Sequence, residues 1–197
     1  MNTLENKLKH FPYKIILGSA SPRRQELLKG LGFDFSVEPI SADENFPSNF
    51  QSQEIPLYLA KKKANHFQRE LKDNELLITA DTIVWCNNQV YNKPEDFEHG
   101  KKMLQELKGK MHQVFTAVCL KNKEKEKLFF DESKVYFKNF SDNEIEYYLN
   151  HFKPYDKAGA YGVQEWLGYT GIDKIEGSFY NVMGLPVKKL YEELMNF

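Results

Sequence analysis

Residues 13–31 constrain the fold more than any other stretch. Tyr13-Lys14-Ile15-Ile16-Leu17-Gly18 is a short apolar strand, and Gln25-Glu26-Leu27-Leu28-Lys29 continues as a helix. The turn Ser19-Ala20-Ser21-Pro22-Arg23-Arg24 joins them. Pro22 suits the first helical position, where a missing N–H costs nothing, and Gly32 supplies the C-cap. A buried strand feeding directly into a helix opens an α/β fold. The turn also bears on chemistry. Two adjacent cations repel, and at a helix N-terminus each is unfavourable by about 0.3–1 kcal/mol. Arg23 and Arg24 therefore imply an anionic partner. The unpaired N–H groups and positive dipole end of a helix N-terminus receive anions. Ser19 and Ser21 add hydroxyls, and guanidinium forks match phosphate oxygens in bidentate geometry.

The rest of the chain intermixes strands and helices. Phe33–Pro39 reads as a second strand, followed by the polar loop Ser41–Gln53 and a helix over about Pro56–Glu70. In that helix Leu57, Leu59, Ala60, Ala64 and Phe67 form an apolar stripe. Leu76–Val84 is a short buried strand, Asn87-Asn88 a hairpin-type turn, and Lys93-Pro94 the end of the next strand. Asp96–Leu107 reads as a helix ended by Gly109. The strands His112–Leu120 and Leu128–Tyr136 flank a solvated loop over Lys121–Lys127. Ser141 caps a helix running to about Asn150, and an amphipathic helix follows a turn near the end. Because the middle carries hairpins, the pattern predicts α/β with a mixed sheet rather than a strict βαβ repeat.

Composition narrows the function. The 197 residues suit one domain, or one with a small lobe. A formal net charge of −1 gives no global basic field, which argues against nucleic acid or an anionic membrane as partner. Cys86 and Cys119 lie in apolar runs and read as reduced core thiols. The polar first residues lack an apolar signal core and no segment reaches membrane-spanning length, so a cytoplasmic, soluble protein is expected.

Several residues could carry chemistry. Asp81, in Ala80-Asp81-Thr82-Ile83-Val84, is expected at the C-terminal end of a buried strand, the rim where open α/β sheets hold ligands. Thr82 beside it could donate to a substrate. The run Lys61-Lys62-Lys63 spans most of a helical turn, so one lysine points inward, and Lys63 is the choice. Pro94 holds Lys93 in an extended conformation. Asp43 or Glu44 could join Asp81 around Mg²⁺, which takes one or two carboxylates plus substrate phosphates. Gln164 ends the small-residue run Ala158–Gln164, and an amide that both donates and accepts suits the edge of a base. There is no zinc spacing, phosphate-binding glycine loop or histidine triad; the cations and carboxylates point to metal-assisted phosphoryl chemistry.

As an ordered set, these segments resemble the Maf family of nucleoside triphosphate pyrophosphatases. They are "SASPRR" after a strand, "DE" some twenty residues on, "LAKKKA", "ADTIV", "NKP", "KGKMHQVFTAV", "DKAGAYGVQ" and "GSFYNVMGLP". The resemblance covers all but the first dozen residues. It implies an elongated α/β fold with a mixed central sheet and a cleft between two lobes of one domain, related to the inosine triphosphate pyrophosphatases. It also implies hydrolysis of a nucleoside triphosphate to monophosphate and pyrophosphate with Mg²⁺ or Mn²⁺, by a homodimer. In that family's scheme Asp81 is the proton acceptor, and Ser19, Arg23, Arg24, Lys63 and Lys93 hold the triphosphate. Glu44 places the metal with Asp81, and Arg23, Thr82 and Gln164 fall at positions tied to substrate choice. "KAGAYGVQ" resembles the branch acting on dTTP and UTP. A 7-methyl-GTP pyrophosphatase and a nucleotide-binding regulator of septum formation without turnover are the alternatives. Two departures stand out: Gly18 replaces a common alanine, expected to be harmless, and Glu165-Trp166 after the glutamine departs from a glycine often found in that region.

Overall fold

A computed structural model describes residues 8 and 10–197; most of the polar N-terminal stretch read above as lacking a signal core lies outside the described residues. The described strands β1 (Lys14–Leu17), β2 (Phe35–Val37), β3 (Glu75–Cys86), β4 (Gln89–Tyr91), β5 (Met111–Lys121), β6 (Glu126–Phe137) and β7 (Ile172–Glu176) form one seven-stranded mixed sheet, ordered β2-β1-β3-β5-β6-β7 with β4 also on β3. The chain divides into two compact units: residues up to Asp81 with Thr116–Asp131 and Gly184–Phe197, and Thr82–Phe115 with Glu132–Met183. Strands β3 (Glu75–Cys86), β5 (Met111–Lys121) and β6 (Glu126–Phe137) contribute residues to both.

The first unit opens as the sequence predicts. Strand β1 (Lys14–Leu17) runs into helix α1 (Pro22–Gly30), with Pro22 at its start. Gly32 follows with φ +81°, the left-handed residue that ends a helix. Strand β2 (Phe35–Val37) and helix α2 (Glu54–Asn65) lead to β3. β1 pairs in parallel with both β2 and β3, so the chain crosses over β1 between them. That arrangement makes the carboxyl end of β1 a topological switch point, the usual ligand position in an open α/β sheet. Ile16, Leu77, Ala117 and Cys119 pack beneath Ala60 and Ala64 of α2. α2 begins two residues before Pro56 and stops at Asn65, short of the Glu70 expected from the apolar stripe. Pro56 sits in the first turn, where its missing N–H would have no intrahelical partner. Phe67 still packs on this core from the following loop.

One glycine in this unit is fixed by close approach. A Cβ on Gly18 would lie 2.6 Å from Ile40 Cδ1 and 2.9 Å from Thr79 Cγ2. Ile40 and Thr79 occupy the space an alanine methyl would need, so the glycine is matched to this core.

In the second unit β4 (Gln89–Tyr91) forms a hairpin with β3, and Asn87 and Asn88 take φ 50° and 60°, as a tight hairpin turn requires. Helix α3 (Phe97–Leu107) is capped by Asp96, whose Oδ1 accepts from His99 N at 2.8 Å. Helix α4 (Asp142–Phe152) begins with the expected Ser141 cap, completed as a capping box by Glu144. A 3₁₀ turn (Ala158–Ala160), helix α5 (Trp166–Gly171) and strand β7 (Ile172–Glu176) follow. The closing stretch holds two helices, α6 (Phe179–Met183) in this unit and α7 (Val187–Met195) in the first.

His112 is buried in the second unit. Its Nε2 shares a 2.8 Å hydrogen bond with Tyr161 Oη, its ring packs edge-on against Phe137, and Nδ1 finds no partner among the described residues. Burial lowers its pKa from 6.5 to about 3. Between those values the unfolded chain binds a proton that the folded one refuses. Stability from this residue is complete above pH 6.5 and falls with decreasing pH, at up to about 1.4 kcal/mol per unit. Denaturant midpoints at pH 7, 6 and 5 should drop less steeply in His112→Phe than in the unaltered protein. Equal slopes would show that His112 is not buried in its neutral form.

Candidate active site

At the carboxyl end of β1 the chain turns through Ser19 into α1. Ser21 occupies the N-cap position, yet its hydroxyl makes no capping bond. The amides of the first turn are therefore not taken up by their own cap, which leaves this helix end suited to an anion. Ser19 Oγ accepts from Ser21 N at 3.3 Å and from Arg24 Nη1 at 3.4 Å. Arg24 Nε donates to Gly184 O at 2.9 Å, so the guanidinium is held from two sides. Burial lowers the Arg24 pKa, with attraction from Asp81 opposing it and Arg23 adding repulsion. An arginine remains charged under any such shift. The sequence reading gave the segment around Gly184 no role; its carbonyl orients Arg24.

Asp81 lies inside β3 rather than at its end, because the strand runs on to Cys86. The β1 ladder stops at Leu17↔Ile78, however, so Asp81 is three residues beyond the last partner of β1. Its position relative to β1 is thus the expected rim. The carboxylate is only 8% exposed and accepts from Lys63 Nζ at 2.5 Å. Burial pushes the carboxyl above the usual aspartate range, while Lys63 and Arg24 pull it down.

Lys63 reaches inward from the last turn of α2. Its ammonium also pairs with Glu44 Oε1 at 3.3 Å, so one cation is shared by two carboxylates. The neighbouring Lys62 binds Asp43 Oδ1 at 2.6 Å and the Asn45 carbonyl at 3.0 Å. Adjacent lysines therefore fasten adjacent acids, and the long loop after β2 is fixed to α2. The sequence assigned Lys62 nothing; the signal was present in the pairing of Asp43-Glu44 with Lys62-Lys63.

Ser19, Arg24, Glu44, Lys63 and Asp81 thus converge within the first unit, with Arg23 beside Arg24. Thr82, Lys93 and Gln164 belong to the second unit. Thr82 follows Asp81 in β3 and is partly exposed. Lys93 is exposed between Asn92 and the buried Pro94, and the Asn92 carbonyl accepts from Gly159 N at 3.2 Å. That bond ties the Lys93 segment to the segment leading to Gln164.

The donor set is two carboxylates with no histidine or cysteine. No group of three or more His, Cys, Asp or Glu suited to a metal occurs among the described residues. Such a site fits a hard cation that completes its shell with water and phosphate oxygens, as Mg²⁺ does.

Comparison with known proteins gives a consistent family. A dTTP/UTP pyrophosphatase of Parabacteroides distasonis is 54% identical over 195 residues, covering 98% of this chain and all of that one. Proteins of the same name from Bacteroides thetaiotaomicron and Flavobacterium psychrophilum are 52% and 50% identical over 183 residues, with at least 92% of each chain covered. The solved Staphylococcus aureus Ham1 protein aligns with a TM-score of 0.44 at 13% identity, over 64% of this chain and 72% of that one, a likeness too slight to bear on fold or chemistry. The model of the Maf-like protein family matches residues 14–197, from the first residue of β1 to the C-terminus, and the chain belongs to the Maf family.

Proposed function

We propose that this protein hydrolyses pyrimidine nucleoside triphosphates, foremost dTTP and UTP, to the monophosphate and pyrophosphate. One observation carries the reading: a buried carboxylate, Asp81, lies against Lys63 and within the field of Arg24, beside an uncapped helix N-terminus. The names of the relatives support the substrate. A triphosphate carries roughly four negative charges near neutral pH, and fixed local cations offset them without a basic protein.

Asp81 takes a proton from the attacking water as the water oxygen bonds to the α-phosphorus. The bond to the α–β bridging oxygen breaks, and its electron pair leaves with pyrophosphate. A carboxyl raised above the ordinary aspartate range is a better proton acceptor than an exposed one. Arg24, Ser19 and the first-turn amides hold phosphate oxygens, and Arg23 and Lys93 add charge. Lys63 has three N–H donors; two meet Asp81 and Glu44, and the third suits a phosphate oxygen. Asp81 and Glu44 would hold Mg²⁺ or Mn²⁺, which supplies charge neutralisation on the phosphates. Thr82 and Gln164 read the base. Thymine and uracil present the same N3–H and O4 edge, so one amide that donates and accepts serves both. In this reading the enzyme is a cytoplasmic homodimer with a single nucleotide-binding domain.

The test is a panel of dTTP, UTP, dATP, GTP and 7-methyl-GTP with Mg²⁺ or Mn²⁺, following pyrophosphate release. The expected order puts dTTP and UTP first, with activity lost on chelation and restored by the metal. Preference for 7-methyl-GTP would move the protein to the other branch. Binding of dTTP with no pyrophosphate release from any nucleotide would favour a regulator.

A further inference from the structure

The segment from Lys157 to Glu165 is held at both ends and in its middle by one polar chain, buried at Tyr148 and Lys157. Lys157, only 9% exposed, places Nζ 2.9 Å from Glu165 Oε1 and 2.7 Å from Asp156 Oδ1. The other Glu165 oxygen accepts a short hydrogen bond from Tyr148 Oη, and Tyr148 is fully buried in α4. Tyr148 Oη in turn accepts from Gly162 N at 2.9 Å. Burial raises the tyrosine hydroxyl far above its ordinary pKa, with Glu165 reinforcing the rise, so it stays protonated and donates.

The backbone inside this clamp is not relaxed. Gly159 and the non-glycine Ala160 have φ 68° and 59°, and a Cβ on Gly159 would meet Val84 Cγ2 at 2.9 Å. A left-handed non-glycine residue costs on the order of 1–3 kcal/mol and persists only where its surroundings enforce it. The Gln164 carbonyl accepts from Tyr169 Oη, and the next amide, Glu165 N, donates to Gly162 O at 3.1 Å, so the backbone on the C-terminal side of Gln164 is held as well.

We propose that Lys157, Glu165 and Tyr148 are positioning residues for Gln164, and that their network sets nucleotide selectivity rather than the hydrolytic step. Glu165 is the joint of the network, because one carboxylate oxygen meets Lys157 and the other Tyr148. This rests on the base-reading role given to Gln164 above. A hydrogen-bonding amide discriminates between bases only if its donor and acceptor are held in register, and a displacement of about 1 Å costs up to a hundredfold.

The experiment compares kcat/KM for dTTP and dATP in the full-length protein and in Glu165→Ala, Glu165→Gln, Tyr148→Phe and Gln164→Ala, with melting midpoints alongside. Glu165→Ala and Tyr148→Phe should lower the dTTP to dATP ratio roughly tenfold or more through the KM for dTTP. Glu165→Gln, which keeps an acceptor, should recover part of it. An equal loss for both nucleotides in step with a lower melting midpoint would mean a merely structural role and overturn the proposal. If Gln164→Ala collapses the ratio while Glu165→Ala leaves it intact, the positioning claim fails alone. If Gln164→Ala also leaves the ratio intact, the base-reading role fails and takes the proposal with it.

Discussion

Asp81→Asn is expected to lower kcat for dTTP by roughly 10²–10⁴-fold, the range for a lost general base. The amide matches the carboxylate in size and keeps an oxygen to accept from Lys63, so the fold around β3 should persist. It can no longer take a proton from water at neutral pH. Binding should survive, because Ser19, Arg24 and the first-turn amides of α1 are untouched. Single-turnover pyrophosphate release measures the chemical step, and calorimetry with dTTP in calcium measures binding. A kcat within tenfold of the unaltered protein would remove Asp81 from the role of base.

The second large effect is on stability. The Lys63–Asp81 pair is 2.5 Å long, with side chains 13% and 8% exposed. Removing one partner of such a pair leaves a buried charge and costs about 3 kcal/mol or more. Lys63→Met should therefore unfold at a clearly lower denaturant concentration. The loss is reduced but not abolished by Arg24, whose charge also favours ionised Asp81. The double variant Lys63→Met/Asp81→Asn removes both charges and should recover much of the cost, because a neutral amide is cheaper to bury. Additive losses in the four-protein cycle would contradict the coupling. Losing Lys63 also removes the strongest influence holding the Asp81 carboxyl down, so it rises further. The carboxylate must be ionised to act as base. Any activity left in Lys63→Met should therefore fall away on acidification at a higher pH than in the unaltered protein.

Much of this arrangement is legible in the chain. The strand, proline and glycine of residues 13–32 dictate β1 and α1, and Asn87-Asn88 and Ser141-Glu144 mark their turn and cap because their chemistry is local. That one of Lys61, Lys62 and Lys63 faces inward followed from helical geometry, and Lys63 is the one that reaches Asp81. Other features depended on long-range pairing. Asp81 looked like a strand end because it follows the apolar Leu76-Leu77-Ile78, yet antiparallel pairing with β4 carries the strand to Cys86. β7 was invisible: its Ile-Asp-Lys-Ile-Glu is short and mostly polar, and its pairing with β6 makes it a strand. The clasp of Arg24 by the Gly184 carbonyl joins residues 160 apart in sequence, so no local pattern could announce it. Lys62 and Glu165 went unassigned for a related reason. Exposed lysines and acids are common, and only the partners on other elements give these two a task.

The most direct test of the central claim is ³¹P NMR of the purified protein incubated with dTTP and Mg²⁺. The account predicts dTMP and pyrophosphate in equal amounts, with no dTDP and no inorganic phosphate. Formation of dTDP and phosphate, or an unchanged dTTP spectrum, would contradict it.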